Sequence, residues 1–178
     1  MARRVVFIPW DQAVGSEFGD EVDDHNANTD RHHQHNYEAV YYDSPHPNGV
    51  IETLPWGVRI EIVGHGGRGD HELETSGGNA LTYKEVADRL IEHGLKKRHP
   101  RTISLNTCSS AVPTLGSQSF AAKFANYMRS EGYLLISVLG YFGAIDGKYY
   151  MEPGHDYSHR FVTVAGKEVK GKWVAWRF

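Results

Sequence analysis

Apolar and polar positions lay out most of the elements of this chain. Arg3–Pro9 (RRVVFIP) carries an unbroken apolar run and predicts a buried first strand. From Trp10 to Asn36 apolar residues thin out, and a polar, acidic, His-rich stretch predicts a solvated loop. Tyr37–Tyr42 (YEAVYY) alternates as a strand does. Ser44–Gly49 (SPHPNG) is dense in turn formers, and Gly49–Leu54 then reads as a returning hairpin partner. Val58–Val63 (VRIEIV) alternates with β-branched residues and predicts a strand that ends at Gly64-His65-Gly66-Gly67. Thr82 and Glu85 fit a capping box, in which hydroxyl and carboxylate satisfy the open donors of a helix start. Tyr83, Val86, Ala87, Leu90 and Ile91 follow at helical spacing until Gly94. Thr102–Leu105 (TISL) is a further strand. Ser117 is placed to cap a second helix whose Phe120, Phe124, Tyr127 and Met128 share a face, with Gly132 at its end. Tyr133–Leu139 (YLLISVL) has the continuous apolar character of a strand covered on both sides. In the tail, turns at Asp146-Gly147 and near Gly166 predict antiparallel hairpins in Tyr141–Met151 and Arg160–Phe178.

Strand and helix alternate through the middle of the chain. This predicts an α/β fold with a mostly parallel central sheet, flanking helices and C-terminal hairpins. No repeat or linker divides residues 1–178, which read as one domain. With 40% apolar residues a packed core is expected. The net charge of −3 argues against a nucleic-acid binder, which needs a basic face. No apolar run approaches the roughly 20 residues of a membrane helix, and the one near the start is short for a signal peptide. A single cysteine excludes an internal disulfide framework and suits a reducing compartment.

Two strands end in chemically loaded corners. IEIV runs into Gly64-His65-Gly66-Gly67, and ISL runs into Asn106-Thr107-Cys108-Ser109-Ser110. In a parallel sheet both ends reach the same edge, where α/β proteins bind ligands. The two residues are 43 positions apart, so only the fold brings them together. A thiolate nucleophile needs an imidazole nearby, to favour its ionisation or to protonate the leaving group. A glycine after the histidine lets the backbone come close to a substrate, so the amides of Gly66 and Cys108 form a candidate oxyanion hole. Either residue alone would be unremarkable: a lone cysteine is commonly a small buried hydrophobe, and a glycine-flanked histidine an ordinary loop residue. The pairing on two strand ends is what points to a Cys108–His65 dyad and a cysteine hydrolase.

This order of motifs resembles the caspase-like cysteine peptidases, which include caspases, legumain, gingipain and separase. It is most similar to the self-cleaving protease domains of clostridial glucosylating toxins and MARTX toxins. The features that carry the resemblance are the strand ending in Val63-Gly64-His65-Gly66, the later Leu105-Asn106-Thr107-Cys108, the helix after it, and the apolar strand leading into ISVLGYFGAIDG. It is strongest from Val58 to Gly147. The resemblance implies a tail forming a β-flap, a polypeptide substrate, and a bacterial toxin or secreted effector domain acting on a parent toxin or a host-cell protein in the host cytosol. It implies an aspartate near the end of the first strand that orients the histidine, and Asp11 is the matching position. It also implies a substrate pocket lined by Leu139, Gly140, Tyr141 and Phe142. That segment carries no charge, so cleavage after an apolar residue such as leucine is expected. Finally, it raises inositol hexakisphosphate as an activator. A polyanion needs converging cations, and the candidates are Lys96, Lys97, Arg98 and Arg101 before the cysteine strand, with Lys148, Arg160, Lys167, Lys170 and Lys172 in the tail. The plainer reading of Lys96–Arg98, and the preferred one, is a solvated helix end.

Three rivals stand beside this reading. Asp23, Asp24, His25, His32, His33 and His35 have the chemistry of a zinc site, but adjacent His32 and His33 point apart in an extended chain, and no ordered ligand spacing appears, so no metal is assigned. A catalytically idle caspase-like binding domain would have no need to keep both His65 and Cys108. A non-proteolytic cysteine hydrolase or transferase acting through an acyl-enzyme uses the same dyad.

Overall fold

The computed structural model describes residues 4–27, 37–45, 49–66, 71–151, 158–164, 167–170 and 173–177. In chain order these form β1 (Arg4–Ile8), α1 (Gln12–Ala27), β2 (Tyr37–Tyr41), α2 (Val50–Thr53), β3 (Ile60–Val63), β4 (Glu72–Glu74), β5 (Ala80–Thr82) and α3 (Tyr83–Glu92). There follow β6 (Arg101–Asn106), α4 (Phe120–Ser130), β7 (Ile136–Tyr141), β8 (Ala144–Met151), β9 (Ser158–Val164), β10 (Lys167–Lys170) and β11 (Trp173–Arg177).

The central sheet has six strands in the order β11-β7-β6-β3-β1-β2. Five of them pair in parallel, and β11 closes one edge antiparallel to β7. Val5, Phe7, Ile8, Ile60, Ile62, Ile103 and Leu105 are all fully buried, as expected of strands covered on both faces. The helices α3 and α4 pack against each other through Tyr83 and Tyr127, whose rings meet edge to face at 6.2 Å. The hydroxyl of Tyr127 donates to Asp88 at 2.7 Å, and this bond, with burial and the charge of Asp88, pushes the phenol up to about 12.

The helix starts follow capping chemistry. Thr82 and Glu85 form the full capping box, a device of about 1 kcal/mol. Gly94 and Gly132 end their helices at φ +87° and +89°, where a side chain would be strained. The second helix begins later than Ser117 suggests: the cap is Ser119, whose Oγ accepts from Ala122 N at 3.2 Å, while Ser117 belongs to a tight bridge with Thr114.

Several expectations are corrected. The predicted loop after β1 is largely a helix, α1. Its buried stripe is Gly15, Phe18, Gly19 and Val22, a helical spacing half filled by glycine and therefore silent in an apolar pattern. The glycines are required by packing, because a Cβ on Gly15 would meet Ile8 Cγ2 at 2.6 Å and one on Gly19 would overlap the Tyr41 hydroxyl. Gly49–Leu54 is not a hairpin strand but holds the short helix α2. A small antiparallel hairpin, β4–β5, stands between His65 and α3, where no element was expected. The last parallel strand begins at Ile136 rather than Tyr133, whose buried hydroxyl donates to Leu95 O at 2.9 Å. Asp146-Gly147 is no turn, since β8 runs through it with a register shift against β9 between Ile145 and Tyr149. The tail does form antiparallel strands, in a separate sheet β10-β9-β8.

Candidate active site

The register between β3 and β6 pairs Ile60 with Ile103, Ile62 with Leu105 and Val63 with Asn106. The constant offset is 43, the same interval that separates His65 from Cys108. The two corners follow directly on these paired strand ends. Contact across the corners is direct. A Cβ placed on Gly66 would collide with Thr107 Oγ1 and would sit 3.3 Å from the Cys108 carbonyl oxygen. Among the described residues, no backbone carbonyl accepts from the Gly66 N–H.

The half-buried Cys108 stands at the head of a turn fixed by main-chain hydrogen bonds. Ser109 adopts φ +55°, a left-handed conformation that costs a serine on the order of 1 kcal/mol and bends the chain sharply after the thiol. Ser109 N donates to Gly143 O at 2.7 Å and Ala111 N donates to Tyr141 O at 2.9 Å. Ser110 Oγ donates to Leu105 O at 3.3 Å and accepts from Tyr141 N at 3.0 Å. The end of β7 is thereby locked to the cysteine turn. Of the expected pocket residues, Leu139, Gly140 and Tyr141 are buried in this junction and Phe142 presents a ring that is 37% exposed.

His65 is positioned differently. Its backbone exchanges hydrogen bonds with Glu74, N to O at 2.8 Å and O to N at 2.9 Å, so β4 extends the corner. The Phe18 ring lies against the imidazole at 5.2 Å and is itself stacked on Trp10. The imidazole Nε2 is 3.0 Å from Ser76 Oγ and 3.6 Å from Glu17 Oε2. Glu17 Oε1 in turn accepts from Ser76 N at 2.8 Å. Burial pushes the Glu17 carboxyl up, but the Ser76 hydrogen bonds and the charge of His65 outweigh it and hold the group below its ordinary value.

Asp11 is elsewhere. It opens α1, its carbonyl accepting from Val14 N and Gly15 N, both at 2.9 Å. It lines a cavity of about 410 Å³ with Trp10, Val14, Gly78, Asn79 and Arg89. Among the described residues it makes no hydrogen bond or ion pair with His65, and Glu17 is the carboxylate at that ring. No sequence pattern singles out Glu17, because its pairing with His65 and Ser76 exists only once α1 has docked.

The described candidate cations lie on separate elements. Arg101 is buried and donates to Leu54 O at 2.8 Å and Pro55 O at 3.1 Å, so it braces the start of β6 and is no ligand for a surface anion. Lys97 and Arg98 are exposed at that same end, a strand length of about 20 Å from Cys108, with Lys97 over the Tyr133 ring. Lys167 and Lys170 lie on β10, and Trp173, three residues beyond Lys170, pairs with Tyr141 at the opposite, cysteine-bearing end. Lys172 is outside the described residues, as are His32, His33 and His35 of the candidate metal cluster. Asp23 and Asp24 are exposed on α1, which also contains His25. Among the described residues no group of three metal-binding side chains occurs.

A mostly parallel sheet with flanking helices, carrying a thiol and an imidazole on adjacent strand ends, is the architecture of a caspase-like cysteine peptidase. The model of the Peptidase C80 family matches residues 22–147, and the chain belongs to that family, the cysteine protease domains of clostridial toxins. It is a cysteine peptidase. The matched span includes His65 and Cys108 and begins after both Asp11 and Glu17. A search of curated proteins finds no match. No helix among the described residues is long and apolar enough to cross a membrane.

Proposed function

We propose that this chain is an endopeptidase in which Cys108 is the nucleophile and His65 its acid–base partner. The observation that supports this reading is the parallel pairing of β3 with β6, since His65 and Cys108 each follow one of these strands and Gly66 lies close to Thr107 and the Cys108 carbonyl. In the reaction, His65 takes the thiol proton and Sγ adds to the scissile carbonyl carbon. The carbonyl electron pair moves onto oxygen, where the N–H groups of Gly66 and Cys108 receive it. Collapse breaks the C–N bond as His65 returns the proton to the departing amine, leaving a thioester. Water then adds to the thioester with His65 as base, and the acid product leaves as the thiol is restored.

The uncharged end of β7 favours cleavage after an apolar residue such as leucine, with Phe142 as its exposed ring. A parent toxin or a host-cell protein is the corresponding substrate, and an effector acting in host cytosol the corresponding role. Control by inositol hexakisphosphate rests on the resemblance alone. Mass spectrometry of products from a peptide library tests the reading. Wild-type protein should cut with a consistent preference before the scissile bond. Cys108→Ala and His65→Ala should each lose at least about a thousandfold in kcat/KM with melting temperature unchanged. Full turnover by folded Cys108→Ala would overturn it.

A further inference from the structure

We infer that Glu17, clamped by Ser76, is the positioning carboxylate of His65, and that Asp11 does not hold this role. The inference rests on the dyad reading above and adds the device that aims the imidazole. Glu17 uses both oxygens: Oε1 accepts from the Ser76 N–H at 2.8 Å and Oε2 faces His65 Nε2 at 3.6 Å. Ser76 Oγ approaches the same nitrogen at 3.0 Å. One residue thus fixes the carboxylate with its backbone and touches the imidazole with its side chain. The next residue of α1, Phe18, packs against the ring. Helix and loop together restrict the ring's tilt and its rotation.

Ser76 is itself held rigidly. It sits in a turn closed by Thr75 N to Asn79 O at 3.1 Å and Gly78 N to Thr75 O at 2.9 Å, with Thr75 Oγ1 accepting from Asn79 N at 3.2 Å. With Nε2 facing the Glu17 carboxylate, the neutral imidazole is expected to carry its proton on Nε2 and to leave Nδ1 as the basic nitrogen. The described groups against the ring are Glu17 and Phe18 from α1 and Ser76 from the turn, while Glu74 of β4 pairs with the His65 backbone. Glu74 is directly across the bridge from His65 and is exposed, but no described group clamps its carboxylate. Asp11 lies six residues before Glu17, about 9 Å along the helix. Against burial, the Ser76 hydrogen bonds and the charge of His65 lower the Glu17 pKa and so favour its carboxylate form.

The test combines steady-state kinetics with the ¹⁵N spectrum of a histidine-labelled protein, whose ring shifts report which nitrogen carries the proton. Glu17→Ala should lower kcat on the order of tenfold, with KM within about twofold. It should also change the His65 signal from one tautomer to a mixture. Glu17→Asp should restore part of both, whereas Asp11→Ala and Glu74→Gln should leave the His65 ring signal as in the wild type. A wild-type ring signal in folded Glu17→Ala, or the same change in Asp11→Ala, would overturn the inference. The spectrum does not depend on turnover. Failure of the dyad reading would therefore appear as activity in Cys108→Ala, with the Glu17 effect on the ring still readable.

Discussion

The two halves of the site are held by different materials. The cysteine corner is fixed by main chain: Ser109 N to Gly143 O, Ala111 N to Tyr141 O and Ala121 N to Ser110 O tie it to β7 and α4. The histidine corner shares one backbone bridge with Glu74, but its ring is aimed by the side chains of Glu17, Phe18 and Ser76. Burial follows the same division, with Ser110 and Tyr141 buried and the His65 side chain 51% exposed. Cys108 is thus placed by the fold itself, whereas the His65 ring is placed by groups that substitution can remove without unfolding the sheet. Mutations that break the hydrogen bonds tying the cysteine turn to β7 should move stability and activity together, and mutations of the side chains that aim His65 should move activity alone.

The largest effect that would sharpen this contrast is at the seam between the corners. Gly66→Ala puts a methyl group against Thr107 Oγ1 and the Cys108 carbonyl, forcing the corners apart by several tenths of an ångström. We expect kcat/KM to fall about a hundredfold. Adding Thr107→Ala, which removes one of the two clashing groups, should recover part of the loss in a double-mutant cycle. Wild-type kinetics in Gly66→Ala would mean that the corners do not touch.

Next is Ser110→Ala, in the main-chain half. It removes the acceptor of the Tyr141 N–H and leaves a buried donor unsatisfied. Urea unfolding should show a loss of about 1–3 kcal/mol, accompanied by lower activity. Activity lost with stability intact would break the proposed division. The smallest effect is expected at Thr107→Val. Among the described residues Thr107 Oγ1 is buried with no hydrogen-bond partner, so an isosteric methyl should remove a polar group that gains little from its site. Stability should stay within about 0.5 kcal/mol or rise, and kcat/KM should change less than threefold. A larger loss would give that hydroxyl a part in the reaction.

What could be read in the sequence follows from how each element is encoded. The strands β3 and β6 announce themselves by apolar residues, and the capping box at Thr82 and Glu85 is a purely local device. His65 and Cys108 stand out as candidates because each lies two residues past such a strand. The helix α1 was not, because two of its four buried positions are glycines that admit Ile8 and Tyr41, and a pattern search counts glycine as no signal. The hairpin β4–β5 was missed for a similar reason: each three-residue strand buries one leucine, Leu73 or Leu81. Glu17 was hidden with its helix, and Asp11 was favoured because it follows an obvious strand. Glu17 meets Ser76 across 59 positions of sequence, a contact that tertiary structure alone creates.

The glycines of α1 have a consequence for the order in which competence is acquired. A helix with Gly15 and Gly19 inside it gives up roughly 1 kcal/mol at each position relative to alanine, and its acidic and amide-bearing residues add little intrinsic preference. Such a segment is a poor helix in isolation and takes shape on the surface that receives it, with Tyr41 seated in the notch the two glycines leave. That notch works as a detent, since a slip of one residue would bring Ser16 or Asp20 beneath the tyrosine ring. The thiol can therefore be in position as soon as the sheet forms, while the imidazole is aimed only after α1 has clicked home. A chain with a finished core and an undocked first helix would be a folded protein with an idle active site.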